Sequence, residues 1–86
     1  MNVGKVLRKT AARLPEKKAV LFGNRSITFN ELDRAADRVA GFLRDQGVEK
    51  GDQVGIVFPN IPEFVMVYFG ILRLGAVGVP LDIRLK

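Results

Sequence analysis

At 86 residues, with 48% hydrophobic and 27% charged content, the chain is at most one small domain and is globular in composition. It has no cysteine and no histidine, which excludes a disulfide framework, a thiolate metal site, the usual general base and the commonest zinc ligand. The net charge of +5 is concentrated in residues 1–25, where Lys5, Arg8, Lys9, Arg13, Lys17, Lys18 and Arg25 stand against Glu16 alone.

Residues 2–14 read as a helix that stops before Pro15. Val3, Val6, Leu7, Ala11 and Leu14 form its inner face, and solvated Lys and Arg form the outer one. Such a stretch also suits an anionic membrane surface, a nucleic acid or a mitochondrial presequence. Nucleic acid is disfavoured because Phe22 is the lone aromatic here, with no Arg–aromatic interleaving to stack bases. Residues 1–20 lack the apolar core of a secretory signal. Asn24-Arg25-Ser26 matches a glycosylation sequon but reads more simply as the turn of a hairpin between strands 19–23 and 25–29.

A capping box opens the next helix. Thr28 and Glu31 are three apart, so the hydroxyl accepts from the N3 amide and the carboxylate reaches back to the N-cap amide; Ile27 and Leu32 have the spacing of a hydrophobic staple. Leu32, Ala35, Ala36, Val39, Ala40 and Leu43 recur at helical spacing over 29–46, and Gly47 stands at C′.

Gly47 to Asp52 is a turn-rich connector, after which the period changes. Residues 53–58 form a β-branched, nearly continuous apolar run, as in a strand covered on both faces. Pro59 ends it, Asn60 is placed to cap the following helix, and Glu63 sits at N3. Helix 61–74 is apolar on nearly all sides, and Gly75 stops it. Strand 76–79 follows, before Pro80. Strand, helix and strand in this order make a βαβ unit with parallel, adjacent strands. The run Phe64–Leu72 is about half the length that a bilayer core requires, so no transmembrane segment is expected.

Motif tests exclude most chemistry. No two glycines have the spacing of a dinucleotide fingerprint, and Gly70 and Gly75 have P-loop spacing but Ala76 at the lysine position. Ser26, the one serine, has no base beside it. Asn60 and Asp82 follow the carboxyl ends of the parallel strands, where open α/β sheets place ligands, but capping suffices for Asn60. No catalytic, cofactor-binding or metal-binding residue is assigned.

Thr28-Phe29-Asn30-Glu31-Leu32, Gly47-Val48-Glu49-Lys50-Gly51-Asp52-Gln53-Val54, Pro59-Asn60 with Glu63-Phe64, and Gly75-Ala76-Val77-Gly78-Val79-Pro80-Leu81 occur in register. Together they resemble the start of the acyl-adenylate-forming (AMP-binding) superfamily, whose pattern runs T-Y-x-E-L, G-V-x-x-G-D-x-V, P-N-x-x-E and G-A-V-x-V-P-L. Phe29 stands where Tyr is usual, and Asp82-Ile83 where Asn-Pro is common. The resemblance implies an α/β fold: the amino-terminal part of the large domain, with a helix, a hairpin, a helix and a βαβ unit over residues 1–86. It implies a parent acyl-CoA synthetase acting on a fatty acid, with ATP, Mg²⁺ and coenzyme A as cofactors, in the cytoplasm or peripherally on a membrane. The family's phosphate loop, adenine motifs and catalytic lysine match nothing in this chain, which is expected to be scaffold and inactive alone. Its main partner would be the missing remainder of the domain. The alternatives are an oligomer closing over the apolar faces, or a stand-alone basic α/β module binding an anionic partner.

Overall fold

The computed structural model describes residues 3–57 and 61–81. The order is α1 (Val3–Arg13), β1 (Lys18–Phe22), β2 (Arg25–Thr28), α2 (Phe29–Asp45), β3 (Gln53–Ile56), α3 (Ile61–Leu74) and β4 (Val77–Pro80). This is the expected α/β arrangement, with strand boundaries moved by one or two residues.

β1 and β2 pair antiparallel, with Leu21 opposite Ser26, Phe22 opposite Arg25, and a register shift between Lys18 and Val20. The two-residue loop Gly23-Asn24 joins them, and Gly23 has φ 58°, as tight hairpin turns favour. Ile27 is the buried residue of β2 and brings the chain directly into α2. Thr28 is extended at φ −76°, ψ 163°. Its hydroxyl accepts from the Glu31 amide at 3.1 Å, and Glu31 Oε1 accepts from the Thr28 amide at 2.9 Å. The capping box read from the letters is therefore complete.

Both long helices stop in the same way. Val48 N–H donates to Leu43 O at 3.0 Å and Gly47 N–H to Arg44 O at 3.0 Å; Ala76 N–H donates to Ile71 O at 3.1 Å and Gly75 N–H to Leu72 O at 3.0 Å. These are Schellman closures, and Gly47 (φ 93°) and Gly75 (φ 84°) occupy their left-handed positions. Each motif also seats its accompanying apolar contact, because Leu43, Val48, Ile71 and Ala76 belong to one cluster. Because Ala76 completes this closure, β4 begins at Val77 rather than at 76.

β3 and β4 are parallel, from Gln53 opposite Val77 to Ile56 opposite Pro80. α3 is the wall between two cores. On one side Leu7, Ile27, Leu32 and Ala36 meet Val65, Met66 and Phe69; on the other Ile56, Ile71 and Ala76 meet Phe64, Val67 and Tyr68. Serving two cores explains why α3 is apolar on nearly all sides.

One expectation is corrected. Among the α1 residues whose burial is described, Leu7 and Ala11 form the inner seam, while Val6 and Leu14 remain 47% and 37% exposed; the Val3 side chain lies outside the description. α1 touches α2 and α3 along a narrow line: Val6 faces an open groove and Leu14 lies past the helix end. The parallel pair, by contrast, lacks cover on both faces within these residues, as expected of part of a larger domain: Val57 and Val77 are about half exposed and residues 63–69 of α3 are half-buried. Within the described residues α3 shields one face of the parallel pair.

Candidate functional site

Asn60 and Asp82, the residues expected at the carboxyl edge of the parallel strands, lie outside the described residues. The described edge is apolar. Leu81 N–H donates to Ile56 O at 3.0 Å, and the Leu81 side chain lies across Gly55, where an added Cβ would approach it to 3.0 Å. The glycines with P-loop spacing are engaged elsewhere. Gly75 closes α3, and Gly70 lets α3 approach α2 so closely that a Cβ would stand 2.5 Å from Val39 Cβ. Among the described residues no three Asp or Glu side chains come together as a metal-binding group. These glycines and carboxylates therefore build neither a glycine-rich phosphate loop nor a cation site.

The polar chemistry that is built here joins elements. Arg73 Nη2 donates to Asp33 Oδ1 at 2.6 Å, and its Nη1 to Asp33 O at 2.8 Å and Asp37 Oδ1 at 3.0 Å. Arg8 Nη2 reaches the same Asp37 oxygen at 2.6 Å. Two guanidiniums from α1 and α3 thus bracket an i, i+4 acidic pair on α2. Arg73 and Asp33 are the shielded members, with side chains 14% and 19% exposed, so their attraction is screened least.

A second pair, Arg25 Nη2 to Glu63 Oε1 at 2.6 Å, ties β2 to the first turn of α3. The hydrogen bond from Arg25, followed by the backbone at Glu63 itself, holds the Glu63 carboxyl below its ordinary range; the same contact raises Arg25. Neither pair was evident from the sequence, because both join residues far apart in the chain. The partial signal was the acidic i, i+4 spacing of Asp33 and Asp37.

One open feature among the described residues is apolar. A groove of about 350 Å³ runs between α1, β1, the start of α2, and α3, lined by Val6, Leu7, Thr10, Ala19, Val20, Phe29, Leu32, Val65 and Phe69. Leu21 (72% exposed) and Phe42 (63%) add apolar surface elsewhere, and Val57, Val77 and Leu81 do so around the parallel pair. An arrangement of this kind offers surfaces to be covered and no reacting groups. Among the described residues no helix is long and apolar enough to cross a membrane.

Comparison with known proteins is consistent with this geometry. The family described as AMP-binding enzyme matches residues 7–86. The 3-hydroxybenzoate–CoA/4-hydroxybenzoate–CoA ligase of Thauera aromatica is 47% identical over 78 residues, covering 91% of this chain and 15% of the ligase. Among solved structures, a Mycobacterium tuberculosis fatty acyl CoA synthetase superposes with TM-score 0.88 at 35% identity, over 98% of this chain and 17% of its own. NpsA-ThdA, an artificially fused adenylation–PCP di-domain NRPS from Klebsiella oxytoca, gives TM-score 0.88 at 30% identity, over 94% of this chain and 15% of its own. The chain therefore spans about one-sixth of the length of these relatives.

Proposed function

Since the chain belongs to the AMP-binding enzyme family, we propose that it is the amino-terminal scaffold of an ATP-dependent acid–thiol ligase. In that reaction a carboxylate oxygen attacks the α-phosphorus of ATP and pyrophosphate leaves. The sulfur of coenzyme A then attacks the acyl carbon and AMP leaves. Among the described residues Gly23, Gly47, Gly51 and Gly75 serve turns and helix ends and no carboxylate cluster comes together, so no residue here is assigned to ATP, Mg²⁺ or coenzyme A. No step is assigned to this segment.

Its own contribution is mechanical. The capped α2 and the apolar α3 fix the parallel pair β3–β4, and the uncovered apolar surfaces are where the remaining domain packs. The observation that carries this reading is the half exposure of Val57, Val77 and Leu81 around a parallel pair, since parallel strands are stable when both faces are covered.

For the substrate we favour a fatty acid, supported by the likeness to a fatty acyl CoA synthetase. An aromatic acid is the second reading, because the Thauera aromatica relative acts on hydroxybenzoates. ATP–pyrophosphate exchange by the intact protein with palmitate, and separately with 3-hydroxybenzoate, decides between them. The 86-residue segment alone is expected to show no exchange, and measurable exchange by it would overturn the scaffold role.

A further inference from the structure

A depression of about 310 Å³ lies between β2, α2 and α3, and its wall carries three guanidiniums, from Arg25, Arg34 and Arg38. Arg34 and Arg38 are one turn apart on α2, both exposed, and neither has an ion-pair partner among the described residues. Like charges at this spacing weaken a helix, and the acidic pair of α2 is turned away from them, taken by Arg8 and Arg73. Glu31 is the single carboxylate of the lining, and its Oε1 accepts from the Thr28 amide. Arg25 is engaged by Glu63. Two forks with no ion-pair partner among the described residues thus stand beside a third, over a wall partly formed by the apolar Met66 and by Ser26.

We propose that this depression binds a phosphate monoester. A guanidinium fork takes two oxygens of one anion. A phosphate monoester brings a charge of about −1.5 to −2 and three acceptor oxygens, which occupy both free forks, whereas a carboxylate occupies one. Met66 offers its apolar side to the carbon carrier of the ester. The proposal is independent of the ligase reading.

The test is titration of the intact protein with O-phosphoserine, followed by the Nε–H signals of ¹⁵N-labelled arginine. Parallel arms use acetate, and phosphatidylcholine vesicles containing phosphatidic acid. The expected result is saturation in the millimolar range, binding that strengthens from about pH 5.5 to pH 7.5 as the ester loses its second proton near pH 6, and a loss of about tenfold in R34Q/R38Q. The charge-matched control K9Q/R13Q, on the exposed side of α1, should retain binding. Saturation by the soluble ester identifies a free metabolite. Binding to the vesicles alone, lost in R34Q/R38Q, identifies a lipid headgroup. No saturation in either arm, equal loss in the control, or acetate binding as tightly as phosphoserine overturns the proposal.

Discussion

Arg73, near the end of α3, hydrogen-bonds both the carboxylate and the backbone carbonyl of Asp33, forty residues away on α2. The fork thereby joins a helix face to a helix backbone, and only one of those two contacts would survive loss of the Asp33 carboxylate. Arg73→Met should lower stability by about 1–3 kcal/mol, the range for hydrogen bonds to charged groups that leave a shielded partner behind. Asp33→Asn should cost less, because the carbonyl contact persists. Urea midpoints of the two single variants and the double variant give the coupling directly; additive losses would show that the pair is not energetically linked.

Two glycines within helices should respond in opposite ways to alanine. At Gly70 the new Cβ would fall 2.5 Å from Val39 Cβ and 3.1 Å from Ala36 O, so α2 and α3 must separate. Overpacking of this kind costs about 1–3 kcal/mol. At Gly41 the nearest atom is the flexible Arg44 Nη2 at 3.8 Å, so Gly41→Ala should stabilise by about 0.5–1 kcal/mol through helix propensity. Thermal midpoints check the signs, and a gain at Gly70 would show that the helix contact is looser than described.

Thr28→Ala removes the hydroxyl that accepts from the Glu31 amide. The expected loss is about 0.5–2 kcal/mol, with faster hydrogen exchange confined to the first turn of α2. Unchanged exchange there would mean that the cap is replaced locally.

The acid side of the stability curve should carry a Glu63 component. The carboxyl is held below its ordinary value by Arg25 in the folded chain. Its contribution is therefore present above the unfolded value, near 4.5, and is lost as pH falls through the lower folded value. The contact with Glu63 raises Arg25 above its already high ordinary value, so it stays charged throughout and adds no slope. Denaturant midpoints of wild type and Glu63→Gln between pH 6 and 3 should converge on acidification (about the ordinary carboxylate range and below); parallel curves would contradict the pairing.

Much of the fold was legible because its signals are local. Thr28 and Glu31 announced a cap, Gly47 and Gly75 marked helix ends, and the change from helical spacing to an apolar β-branched run marked β3. What was not legible depends on contacts between distant segments. Gly70 looked like half of a failed phosphate motif, yet its role is set by Val39 on another helix. Val6 and Leu14 had the right spacing for an inner face, but among the described side chains of α1 the seam buries Leu7 and Ala11. The approach of Arg25 on β2 to Arg34 and Arg38 on α2 likewise depends on the fold and not on local spacing. Asn60 and Asp82 lie outside the described residues.

The scaffold role rests on the parallel pair needing cover that these residues do not themselves provide. Hydrogen–deuterium exchange of the β3 and β4 amides, in the 86-residue segment alone and in the intact protein, tests this most directly. Strong protection is expected in the intact protein and rapid exchange in the segment, while the α2 amides keep part of their protection in both. Equal protection of Gln53–Ile56 and Val77–Leu81 in the two samples would contradict it.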